Sequence, residues 1–205
     1  MKRKNLFNCL TLMLVICGSF FNSISAQHMH NMAHSESKNP YFVMMNTMME
    51  KMAAAPVGAS DAEYYINQMI PHHQCAIDMA KYEIANGKNS EMIQLAKSIL
   101  AEQQSEIIQL EIIRKGLKNQ SPITASFKSS VDMAMDAMMK TMPAEQPDRG
   151  SDRMFAEVML PHHQAAIDMS KEMFANAGDS QLLAFVKMLI SNEQIDIDQM
   201  KSYLK

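Results

Sequence analysis

Tryptophan is absent, glycine occurs only 6 times in 205 residues, and aromatic side chains make up 6% of the chain. Scarce glycine, together with apolar residues recurring at spacings of three and four, predicts an all-α protein. There is no basic block and the net charge is −3, so nucleic acid is not an expected partner. Beyond the N-terminal segment no apolar run is long enough to cross a bilayer. Cysteine is sparse too: of Cys9, Cys17 and Cys75, the first two fall in a stretch that reads as an export signal. Lys2, Arg3 and Lys4 precede an apolar run from about Leu10 to Phe21, followed by the small residues Ser23, Ser25 and Ala26. Residues 1–26 are therefore expected to be removed, leaving the mature chain periplasmic or secreted. Membrane contact is expected only through that signal or an uncleaved anchor. A lipoprotein cleavage box is disfavoured because Ile16, before Cys17, is large where such boxes hold a small residue. In an oxidising compartment the remaining thiol, Cys75, cannot close an internal disulfide. It serves as a small buried hydrophobe, a metal ligand or a link between two copies in a homo-oligomer.

Methionine is abundant, with 23 residues. Met69-Ile70-Pro71-His72-His73-Gln74 recurs as Met159-Leu160-Pro161-His162-His163-Gln164, an offset of 90 residues (72 to 162), and the likeness extends on both sides without a gap. Met45, Met48, Met49 and Met52 match Met135, Met138, Met139 and Met142, each set forming one stripe of a helix. After a flexible His/Met-rich tail at 27–39, helices are expected over Tyr41–Ala55, from a Ser60 cap to Asn86 with Gly87 as its stop, and from a Ser90 cap to about Lys115. The second copy follows with Val131–Met142, Ser151–Ala177 and Ser180–Leu204. The first repeat thus spans 40–118, a linker 119–130, and the second repeat 131–205. One hairpin cannot bury its own apolar stripe, whereas two complete a four-helix bundle. The fold expected is a bundle of two repeated hairpins, each preceded by a short Met-rich helix, with the histidine motifs close together if their helices are neighbours.

Four of the 7 histidines lie in the duplicated motif. Neutral imidazole is a common metal ligand, and thioethers nearby suit Cu(I). At about 100° per residue, His72 and Met79 lie roughly 20° apart on the helix surface, as do His162 and Met169. Cys75 flanks the same face, so His72, Cys75 and Met79 could converge on one soft ion; Ala165 replaces the cysteine in the second copy. His73 turns towards Met69, and His163 towards Met159, so each histidine pair divides its duties. Pro71 and Pro161 either start a helical segment or kink a continuous one. If a segment starts there, its positive end would keep the histidines neutral. Glu106 and Asp196 either hydrogen-bond a ligating histidine or stand as exposed charges. The plainer reading of the methionines is core packing, since Met fills irregular interiors well. In the tail, His28, His30 and His34 with Met29 and Met32 form a metal-collecting tract. Were Ala26 the first mature residue, His28 would be third and could complete a square-planar Cu(II) site.

The pattern Met-(Ile/Leu)-Pro-His-His-Gln-x-Ala-Ile-Asp-Met, with Gln103, Glu106 and Ile107 downstream, resembles the domain-of-unknown-function family 305. The resemblance covers both repeats and implies a ferritin-like helical bundle; some relatives are exported copper-binding proteins linked to copper resistance. The second copy departs downstream, with Glu193, Asp196 and Ile197 at the matching positions. The function expected is that of an exported copper-binding protein, not an enzyme, that sequesters Cu(I) or exchanges it with a copper-donating or copper-accepting protein. Two alternatives compete with it. A di-iron oxidase would need Glu-x-x-His pairs, and no histidine of the motifs has glutamate three residues before it. A metal-free interaction module would use the Met-rich helices as an adaptable surface.

Overall fold

The structure, a computed structural model, describes residues 37–118, 120–144, 149–176 and 178–205. The expected signal, and the tail with His28, His30 and His34, lie outside the described residues. Among the described residues six helices follow in order: α1 (Pro40–Ala54), α2 (Asp61–Asn86), α3 (Ser90–Gly116), α4 (Ala125–Thr141), α5 (Ser151–Asn176) and α6 (Ser180–Leu204). Among the described residues, no helix is long and apolar enough to cross a membrane.

Local chemistry sets the boundaries. Ser60 caps α2 by accepting from the Glu63 amide, and Gly87 closes it, as the sequence leads one to expect. The cap of α3 differs from expectation by one residue, while α6 spans Ser180–Leu204 as expected. Asn89 accepts from the amides of Glu91 and Met92, and Asp179 from those of Gln181 and Leu182. Asn and Asp cap at least as well as serine, so Ser90 and Ser180 become the first helical residues. Helix α4 begins six residues before the expected Val131 (131 − 125), because Thr124 caps it and Phe127 adds a buried anchor ahead of Val131. Gly87 has an ordinary negative φ, and its role is space. A Cβ there would lie 2.7 Å from the Glu83 carbonyl oxygen and 2.9 Å from Asp152 Oδ1.

The hairpins α2–α3 and α5–α6 pack against each other through α2 on α5 and α3 on α6, forming the four-helix bundle. Helix α1 lies along α2, and α4 along α5, in the matching places of the two repeats. Met45, Met48, Met52, Met135 and Met138 are buried in the shared core, and Met49, Met139 and Met142 pack against it. Full burial of a methionine side chain contributes about 1.5–3 kcal/mol, which suffices to account for these stripes as packing. Pro71 and Pro161 sit inside helices that run through them, so neither starts a segment. The positive end of a helix is therefore not what surrounds the histidines; they lie mid-helix, in the centre of the bundle.

Candidate metal centre

The pairing of α2 with α5 brings the duplicated motifs together on the pseudo-two-fold axis. His72 and His162 stack with ring centroids 3.7 Å apart and planes tilted by 30°. Both are almost fully buried, and none of their four ring nitrogens makes a well-aligned hydrogen bond, although the His162 ring approaches the His72 backbone. Burial, then the neighbouring imidazoles, hold both rings well below the usual histidine range, so both are neutral with lone pairs available.

His73 and His163 point the other way, towards the hairpin helices α3 and α6. His73 Nε2 lies 2.9 Å from Glu106 Oε2 but is not aligned to donate to it. His163 Nε2 meets Asp196 Oδ2 at 3.2 Å, while its Nδ1 stands 3.6 Å from Glu193 Oε2. Glu193 is held from its other side, where Gln103 Nε2 donates to Oε1 at 3.0 Å. Gln103 and Glu193 occupy matching places in the two repeats (103 + 90 = 193), so this hydrogen bond straddles the axis. One ligand atom each from His73, Glu106 and Glu193 can be chosen so that all three lie within 4.8 Å of one another.

Electrostatics separate the two layers. Burial raises the Glu193 carboxyl to about 7, against the pull of His163 and His73. Burial opposes protonation of His163, but the carboxylates of Glu193, Asp196 and Glu106 outweigh it and raise its pKa. One layer is thus a pair of neutral imidazoles, and in the next His163 and Glu193 are both pushed towards their protonated forms.

Two stretches of the chain, residues 13–114 and 116–204, match the family Domain of unknown function (DUF305). The chain belongs to the DUF305 family. Solved structures of similar fold include CopM in the Cu(I)-bound form, 28% identical with a TM-score of 0.53, covering 71% of this chain and 96% of that one. CopM in the Ag-bound form is 26% identical with a TM-score of 0.54, covering 70% and 93%. A DUF305 fragment from Deinococcus radiodurans, 22% identical with a TM-score of 0.52 over 71% and 97%, shares the fold. Uncharacterized protein L153 of Acanthamoeba polyphaga mimivirus is 38% identical over 63 residues, 31% of this chain and 41% of that protein. The match thus spans about two fifths of the length of this curated relative.

Within this DUF305 chain the sequence-predicted residues fall into different places. Met69, Met79, Met159 and Met169 are all fully buried in the core around the motifs. Cys75, expected to flank His72, faces α1 instead, with its Sγ 3.9 Å from Met45 Sδ, and burial raises its thiol pKa. Glu106 and Asp196 are 2% and 4% exposed, which overturns the reading of them as surface charges. Sequence reasoning left Gln103 and Glu193 without a role in the site. Their signal was present in the repeat itself: Gln103 and Glu106 stand three apart on one face of α3, as Glu193 and Asp196 do on α6.

Proposed function

We propose that this chain is an exported copper-binding protein that sequesters the ion or hands it on, without enzymatic activity. The observation that carries the reading is the stacked pair His72 and His162, whose four unpartnered ring nitrogens lie in a buried, methionine-rich core. Orphaned neutral imidazoles with thioethers on the same helices form a donor set suited to Cu(I). Met69 and Met79 of α2, with Met159 and Met169 of α5, are the thioethers nearest in sequence to the pair. Ring lone pairs lie in the ring plane, so an ion shared by the stack is held at its edge rather than between the faces. CopM, similar over most of this chain, has structures with Cu(I), Cu(II) and silver bound, which supports a copper role within this fold. In this reading the tail histidines His28, His30 and His34 collect copper outside the bundle, and Cys75 with Met45 forms a separate sulfur pair against α1.

Anaerobic titration with Cu(I) against a competing chelator tests the proposal. Micromolar or tighter binding is expected, weakened by about tenfold or more in His72→Ala and His162→Ala. Absence of copper above buffer levels, with both variants behaving like the wild type, would rule it out.

A further inference from the structure

The copper reading draws on His72, His162 and the thioethers, and leaves the carboxylate layer unused. Glu106, Glu193 and Asp196 put three acidic side chains in the interior of a helical bundle, and their ion-pair partners are imidazoles. Several donor atoms here are buried without a hydrogen-bond partner: both nitrogens of His73, Nδ1 of His163, and Oε2 of both Glu106 and Glu193. Proximity without alignment is informative. His73 Nε2 and Glu106 Oε2 are 2.9 Å apart yet do not bond each other. Two donors bound side by side on one ion, at bonds of about 2.1 Å, stand about 3 Å apart.

The neighbours of these atoms act as positioning residues. Gln103 occupies Oε1 of Glu193 and leaves Oε2 to face the imidazoles. Asp196 meets Nε2 of His163 at 3.2 Å; when it accepts that N–H from the neutral ring, Nδ1 keeps its lone pair on the side of Glu193. A carboxylate behind a histidine, fixing its tautomer and orientation, is the usual arrangement around metal-ligating imidazoles.

We infer that His73, Glu106 and Glu193, with His163 as the next nearest donor, form a second metal centre, for a divalent first-row cation such as Zn(II), Mn(II) or Fe(II). Its donors are nitrogen and oxygen, which favour such cations over Cu(I), whereas the adjoining His72 and His162 layer offers imidazole and thioether. Donor atoms up to 4.8 Å apart would draw in to about 3 Å around one ion, a closure of up to about 1.8 Å shared among three side chains and within reach of their rotation. The inference does not depend on the copper reading, because the two layers share none of these donor atoms.

Co(II) serves as the probe. The full chain is refolded with a small excess of Co(II), because the donors are buried, and is then freed of loose metal by gel filtration. One Co(II) retained per chain is expected, with visible d–d absorption and no sulfur-to-metal charge-transfer band. Glu106→Gln and Glu193→Gln should each weaken retention by about tenfold or more. No retained Co(II), a sulfur band, or equal retention by folded Gln variants would each overturn the inference. Should a Gln variant fail to fold, retention and spectrum of the wild type still decide the matter. Failure of the wild type to bind Cu(I), with one Co(II) retained per chain, would overturn the copper reading and leave the second centre standing.

Discussion

The two halves of the bundle keep the same imidazoles and differ in what surrounds them. His72 and His162 meet each other on the pseudo-two-fold axis, and each tolerates the other because both are neutral. Gln103 and Glu193 also meet at the axis, and there the repeat is broken. Two glutamates at these places would confront each other in a buried site, where like charges about 3 Å apart cannot both ionise. An amide opposite a carboxylate turns that repulsion into a hydrogen bond. The comparison teaches that residues on the axis must be self-compatible or must differ, whereas Glu106 and Asp196, which do not face each other, both stay acidic and differ in length.

The strongest way to break this comparison is to restore the symmetry. Gln103→Glu should cost about 2–4 kcal/mol near pH 8, with a smaller loss at acidic pH where one carboxyl stays protonated. The exchange Gln103→Glu with Glu193→Gln re-creates one amide and one acid, and should recover more than half of the loss. Chemical denaturation of the metal-free variants at two pH values measures both effects. Equal stability of the single and the exchanged variants would show that the axis imposes no such constraint.

A second asymmetry lies across the same interface. Tyr65 Oη and Ser170 Oγ are 2.6 Å apart in the buried core. Their repeat counterparts, Phe155 (65 + 90) and Ala80 (170 − 90), are an apolar pair, both fully buried. One diagonal between the halves is thus polar and the other is not. Ser170→Ala should cost about 1–3 kcal/mol, because it strands a buried phenol hydroxyl. Adding Tyr65→Phe removes the stranded group, and the double variant should lie close to the wild type. A double-mutant cycle by urea unfolding checks this; additive losses would mean that the hydroxyls do not depend on each other.

Much of this architecture was legible in the chain, and the misreadings have physical causes. Helical periodicity and the gapless repeat were enough to place both hairpins and the Met-rich helices. The nearness of the two His-His motifs followed from pseudo-symmetry, since neighbouring equivalent helices must carry equivalent residues to the axis. What escaped was the carboxylate layer. Glu106 and Asp196 allowed an exposed reading, and Glu193 and Gln103 carried no assigned role, because a single helix does not reveal which polar residues its partners will cover. Cys75 was assigned to the flank of His72 by helical angle alone, yet α1 lies along that flank and supplies Met45 as its neighbour. Pro71 and Pro161 gave no sign of whether the helix would stop, and packing of α2 on α5 carries it through.

The smallest effect expected sharpens the comparison at the end of the hairpin. Glu83 Oε2 of the first half accepts from Tyr41 Oη at 2.8 Å and, across the interface, from Ser151 Oγ of the second half at 2.7 Å. The counterparts are Val131 (41 + 90), Met173 (83 + 90) and the acidic Asp61 (151 − 90), so this polar knot has no twin. Burial, helped by the neighbouring Asp152 carboxyl, raises the Glu83 carboxyl from the ordinary 4.5 to about 7, against the hydrogen bonds from Ser151 and Tyr41. A carboxyl raised in the folded state contributes stability that is fully present below its unfolded pKa and is lost as pH rises through its folded value. The window therefore runs from about pH 4.5 to just above pH 7. Glu83→Gln keeps the neutral form at every pH, so the melting temperature of the wild type should fall relative to the variant across that window. Groups that do not interact with Glu83 cancel in the difference between the two proteins, whereas Asp152, hydrogen-bonded to it, belongs to the same titration. A difference that stays flat with pH would mean that Glu83 is ionised in the fold throughout, with its charge carried by Tyr41 and Ser151.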